Sequence, residues 1–222
     1  MHPTVLAAIA QQYEAFKAPA PQSIEGCPCC SDPAELAEIV RTPRRALTAA
    51  QLESYASSAL LTVGDVSDLR HYWPRLAELS LSGDLLTDAE IVFAKPRHGN
   101  WHAWPAVERD ALVALAQAQL VALASEGVQL DRSDVETWVC AFGQFLDDVT
   151  SILDPLLLLA PGPAAALRGW YRLNKDSLPK GQLWDAFWDS APGNAARVCE
   201  WFGSPPVRDA LDRAFTLPLA TD

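Results

Sequence analysis

Cys27-Pro28-Cys29-Cys30 is the densest group of metal-capable side chains in the sequence. Thiols two apart and adjacent can turn toward one centre when a loop carries them, and Gly26 and Pro28 favour a loop. Zinc takes four ligands, usually thiolates with or without imidazole, so this string supplies all but one. The missing ligand is sought among His71, His98, His102, Cys140 and Cys199. Spacing does not choose among them, and His71 joins Cys27, Cys29 and Cys30 as the candidate metal set. Two other chemistries fit the same string. Adjacent cysteines pack as small apolar residues beneath a loop, and neighbouring thiols exchange with a transient disulfide.

Two further groups of residues could carry chemistry. Gly64 to Arg75 concentrates polar groups at a helix start, where Asp65 and Asp68 suit capping and the positive helix end. Trp101-His102-Ala103-Trp104-Pro105, with Glu108 one turn later, sets two indoles at another helix start. Arg70, His71, Arg75, Trp101, Trp104 and Glu108 are therefore the candidate binding residues, as walls of a small-molecule pocket between helices. The plainer reading makes the tryptophans the closed end of a core and the charged residues surface partners. The glycine-rich dinucleotide fingerprint, the phosphate loop, the serine elbow and the zinc-protease helix motif are all absent. No catalytic residue is assigned, and the balance leans against an enzyme.

These residues must be positioned by helices, because the dominant hydrophobic period is helical. Val5, Ile9, Tyr13 and Phe16 share one face after a Thr4 cap. Ser31 or Asp32 caps a short helix with Pro33 in its first turn. Thr48 to Gln51 and Thr87 to Glu90 read as capping boxes, the first helix stopping at Gly64 and the second near Lys95. Between them a helix starts at Asp65 or Ser67 and ends near Gly83, kinked or restarted at Pro74. Residues 96–104 read as a loop, followed by a long helix from Pro105 to Gly127 and another opened by Ser133. A hydrophobic helix is predicted after Leu153, then a Pro161-Gly162-Pro163 break, then helices near 164–173, 181–189, 194–202 and 205–215. No segment alternates as a strand does. The predicted fold is all-α, a multi-helix bundle or an irregular stack of helix hairpins. It forms one domain over 1–222, with an irregular cysteine-containing loop at 18–31.

The chain has 222 residues, is 50% hydrophobic, and carries a net charge of −11. That composition excludes disordered and fibrous classes. With no basic stripe, nucleic acid is excluded as a partner, while a basic protein partner fits the charge. The longest greasy segment, residues 152–159, is far too short for a membrane span, and the N-terminus lacks the basic start of a secretory signal. A cytoplasmic location with reduced thiols is expected.

Three strings taken together are distinctive: Glu25 to Cys30, Gly64 to Arg75, and Trp101 to Glu108. The combination resembles a group of uncharacterised bacterial proteins of similar size with a Cys-Pro-Cys-Cys loop. Val198-Cys199-Glu200-Trp201 and Ala214-Phe215 extend the likeness toward the end of the chain. The resemblance implies a bacterial source and one shared architecture, and no activity. The function expected is a non-enzymatic helical interaction protein with a structural zinc site. The alternatives are a metal- or thiol-dependent enzyme or redox sensor using Cys27 to Cys30, and a small-molecule binder between helices.

Overall fold

A computed structural model describes residues 1–125 and 134–216. Among them the fold is all-α, with ten α-helices, six short 3-10 segments and no strand. The helices form two compact units: Met1 with Pro3–Leu115, and His2 with the described part of Ala116–Asp222. No helix among the described residues is long and apolar enough to cross a membrane.

The first unit contains α1 (Pro3–Ala15), α2 (Pro33–Arg41), α3 (Ala49–Ser58), α4 (Val66–Ser82), α5 (Ala89–His98) and the first half of α6 (Ala106–Leu123). Helix α1 begins at Pro3, so Thr4 lies within the first turn rather than capping it. Asp32 caps α2 through the Ala34 amide, with Pro33 where its missing N–H costs nothing. Thr48 and Gln51 form the expected reciprocal cap on α3. That helix ends at Ser58, however, six residues before Gly64. Leu60 enters the left-handed region (φ 63°) and its amide bonds the Val63 carbonyl, turning the chain sharply.

Asp65 and Asp68 cap α4 reciprocally, and α4 runs through Pro74 as one helix to Gly83, whose φ of 74° closes it. The second expected capping box does not form. Thr87 donates its hydroxyl to Glu53 instead, and Asp88 takes the cap position without a side-chain bond. Helix α5 also passes Lys95 and Pro96 to reach His98, where a loop was predicted. Burial of Phe93, Lys95 and Pro96 holds that last turn in place. Trp73, Tyr55, Tyr72, Phe16 and Phe93 fill the core. Buried Gln12 stitches it together, donating to the Ala111 carbonyl (2.6 Å) and accepting from the Trp73 indole (3.1 Å).

The second unit holds α7 (Asp134–Gly143), α8 (Pro161–Asn174), α9 (Pro192–Gly203) and α10 (Pro205–Thr216). The predicted end at Gly127 and start at Ser133 lie outside the described residues. In place of a hydrophobic helix after Leu153 there are two 3-10 turns, Val149–Ile152 and Asp154–Leu157, the second with Pro155 in its first turn. The Pro161-Gly162-Pro163 string is the first turn of α8 rather than a break. Residues 181–189 form no α-helix and reach only the 3-10 turn Ala186–Ser190. Gly181 is left-handed (φ 69°), and the next amides are claimed by side chains: Trp184 bonds Asn174 Oδ1, and Asp185 bonds Glu136 Oε1.

Candidate metal centre

The cysteine loop is held from behind by backbone. Cys27 N–H bonds the Thr62 carbonyl (2.8 Å), and Gly64 N–H bonds the Glu25 carbonyl (2.7 Å). Residues 25–27 thus lie on the turn between α3 and α4 and are fixed by it. The Cys27 carbonyl then accepts three donors: Cys30 N–H, Ser31 N–H and the Ser31 hydroxyl. That winds residues 27–31 into one tight turn that feeds directly into the Asp32 cap of α2.

The turn brings all three thiols together. Cys27 Sγ lies 3.0 Å from Cys29 Sγ, which lies 3.4 Å from Cys30 Sγ. Cys29 and Cys30 are exposed and Cys27 is half-buried. The hydrogen bond from Cys29 draws the Cys27 thiol below its ordinary pKa, whereas Cys30 is pushed up by its contacts with Cys29 and Cys27. Cys27 is therefore the easier of the two to ionise. Such a cluster can ligate a thiophilic ion or undergo thiol–disulfide exchange.

His71 does not join the thiols. Its Nδ1 lies 3.0 Å from the Ala18 carbonyl, at the start of the same loop, and its ring packs edge-on to Tyr72. Among the described residues no Cys, His, Asp or Glu adds a fourth ligand atom to the three sulfurs. His98 sits at the end of α5, with its pKa lowered by burial and by Lys95. His102 stacks on Trp101. Cys140 is packed in the second unit beside the Gln144 amide, and Cys199 lies in α9 with its thiol pushed up by burial.

The candidate binding residues are partnered within the fold. Arg70 forks onto Glu108, and Arg75 bonds the Leu47 carbonyl and Glu78. Trp104 donates to the Gly99 carbonyl and packs edge-on to Phe16, and Trp101 is buried. Two grooves among the described residues are lined by other side chains. One, of about 430 Å³, runs between the cysteine loop and α2 past Ile24, Pro28, Leu36 and Arg41. The other, of about 610 Å³, lies in the second unit among Tyr171, Cys199, Phe202, Arg208 and Phe215.

Two features escaped the sequence reading. Residues 59–63 read as the end of a helix that Gly64 stops, yet they form a turn that anchors the cysteine loop. Glu136 reads as an ordinary first-turn acid, but it is fully buried and accepts from the Trp170 and Trp188 indoles and the Asn174 amide. Its helical position gives no sign of those partners, which come from segments 34 to 52 residues away.

The fold and the site together define an all-α protein carrying a surface centre of three cysteines. No protein-family model, no curated protein and no solved structure matches the chain.

Proposed function

We propose that the chain is a metal-binding helical protein whose working centre is Cys27, Cys29 and Cys30. The observation that carries this reading is the convergence of three thiols within 3.0 and 3.4 Å on one exposed, backbone-anchored turn. Cysteines serving only as small apolar residues would turn inward, as Cys140 does. Zinc is the first ion to test, since thiolates from a tight turn are its usual ligands. Metal content measured by mass spectrometry on chelator-free protein should give about one ion per chain. The ion should be lost in Cys29→Ser. Metal-free wild type that also fails to take up any added thiophilic ion would overturn the proposal.

A second reading, binding of a basic protein partner, is supported by the net charge of −11 and by the adjacent exposed Leu158 and Leu159. Cross-linking in the native host, comparing wild type with Leu158→Ser/Leu159→Ser, tests it. A captured partner that is acidic, or whose yield ignores both the substitutions and added salt, would count against it.

A further inference from the structure

We infer that the three sulfurs of Cys27, Cys29 and Cys30 form a site for a trivalent metalloid hydroxide of the arsenite type. The inference rests on the metal-binding reading above and specifies its ion.

The first argument is ligand number. Every cysteine and histidine of the chain lies within the described residues, and none supplies a fourth ligand atom to the three sulfurs. Zinc in structural sites wants four protein ligands, so here it would keep an open position. A trivalent metalloid with a lone pair is satisfied by three.

The second argument is size. Zinc–sulfur bonds of ~2.3 Å set at tetrahedral angles need sulfurs ~3.8 Å apart. The Cys27–Cys29 and Cys29–Cys30 separations are 3.0 and 3.4 Å, two edges shorter than that spacing, and closer sulfurs suit pyramidal ligation, where the ion sits above its ligands.

Charge is the third argument. Three thiolates around a divalent ion carry a net negative charge. The residues that flank the loop in sequence, Glu25 and Asp32, are acidic, and the one cation on the adjoining groove is Arg41 of α2. A trivalent centre on three thiolates is neutral and needs no cationic neighbour.

The chemistry balances without an oxidant or reductant. Three S–H bonds and three metalloid–oxygen bonds break, and three metalloid–sulfur bonds form. Each thiol proton leaves with one hydroxide as water, and the metalloid stays trivalent throughout. The exposure of Cys29 and Cys30 lets the hydroxide approach and water depart.

The test uses the full-length reduced protein, with sodium arsenite and zinc chloride as separate additions and then in competition. Native mass spectrometry reads stoichiometry, and thiol titration reads how many of the five cysteines are protected. Arsenite should add one arsenic per chain less three hydrogens, protect three thiols, and resist displacement by excess zinc. Cys29→Ser should weaken arsenite binding by more than about tenfold. Cys199→Ser, outside the site, should leave it unchanged, and circular dichroism confirms that both variants are folded. If zinc binds tightly through these cysteines while arsenite protects two thiols or none, the metalloid inference falls and the metal-binding proposal stands. If neither ion binds, the metalloid inference falls, and if no other added thiophilic ion binds either, both fall.

Discussion

Arg70 and Glu108, 38 positions apart, form a two-pronged ion pair with both N–O distances at 2.7 Å and the Glu108 side chain all but buried. The pair ties α4 to α6 within the first unit. Gly64, at the other end of the same polar string, bonds the carbonyl of Glu25 beside the cysteine loop. The three strings that make the sequence distinctive are therefore consecutive links in one structure. Thiol loop, helix cap and tryptophan turn hold one another in register.

This arrangement makes Arg70 a structural cation. Arg70→Met should destabilise the protein by about 3 kcal/mol, because it strands the buried Glu108 carboxylate without a counter-charge. Arg70→Met/Glu108→Leu should recover most of that loss, since replacing a whole buried pair by apolar groups is often near neutral. Urea denaturation of the two single variants and the double variant measures the coupling. Additive losses would mean that the pair contributes nothing beyond its separate side chains.

Gly26 offers a sharper probe of the thiol loop. A Cβ there would collide with the Ser31 hydroxyl and stand 2.9 Å from Leu36 Cδ1. Ser31 holds the Cys27 carbonyl, and Leu36 is buried in α2. Gly26→Ala should therefore cost about 1–3 kcal/mol and loosen the cysteine turn together with α2. Metal affinity should fall along with stability. Wild-type affinity in a destabilised Gly26→Ala would show that the turn's geometry does not set the centre.

The helical class was legible in the sequence because Leu52, Tyr55, Tyr72, Trp73 and Leu76 keep a helical period, and because Thr48 and Asp65 announce their caps locally. The thiol cluster was legible too, since its three members lie within four residues and need little tertiary help to meet. What failed needed distant partners. Thr87 looks like a cap until Glu53, 34 positions away, takes its hydroxyl. Residues 181–189 look helical until Asn174 and Glu136 claim the amides of Trp184 and Asp185. Arg70 and His71 are neighbours in sequence, yet one reaches α6 and the other the start of the cysteine loop.

Lys95 makes stability depend on pH. It is 1% exposed, its ammonium bonds the Ser57 carbonyl at 2.7 Å, and burial pushes its pKa down to about 8. The nearby titrating group is His98 on the same helix, itself neutral well below that pH. An unfolded lysine keeps its proton up to about 10.4. Between pH 8 and that value the unfolded chain binds the extra proton, so this group adds stability as pH rises and loses it again as pH falls toward 8. The gain should reach about 2–3 kcal/mol. Tyrosine and cysteine ionisation oppose it in the same range, so the measured quantity is the difference between wild type and Lys95→Met. Urea midpoints taken from pH 7.5 to 10 should narrow any advantage of the methionine variant as pH rises. A pH-independent difference would show that Lys95 stays charged in the folded chain.

Glu136 organises the second unit, and its carboxylate form is what the site requires. One oxygen accepts from the Trp188 indole at 2.7 Å and from the Asp185 amide at 3.3 Å. The other accepts from Asn174 at 2.7 Å and from the Trp170 indole. These partners come from α8 and from the segment ahead of α9, so one side chain pins segments that no backbone ladder joins. Four donors surround the group, and an amide would turn an N–H₂ toward two of them. Glu136→Gln, although isosteric, should therefore cost about 2–3 kcal/mol, as repelled donors lose their acceptor in a buried site. Glu136→Ala should cost more, adding a cavity to the orphaned donors. Near-ultraviolet circular dichroism should change in both variants, because Trp170 and Trp188 lose their fixed orientation. A glutamine variant within ~0.5 kcal/mol of wild type, with its tryptophan signal intact, would show that the unit does not depend on both carboxyl oxygens of Glu136 as acceptors.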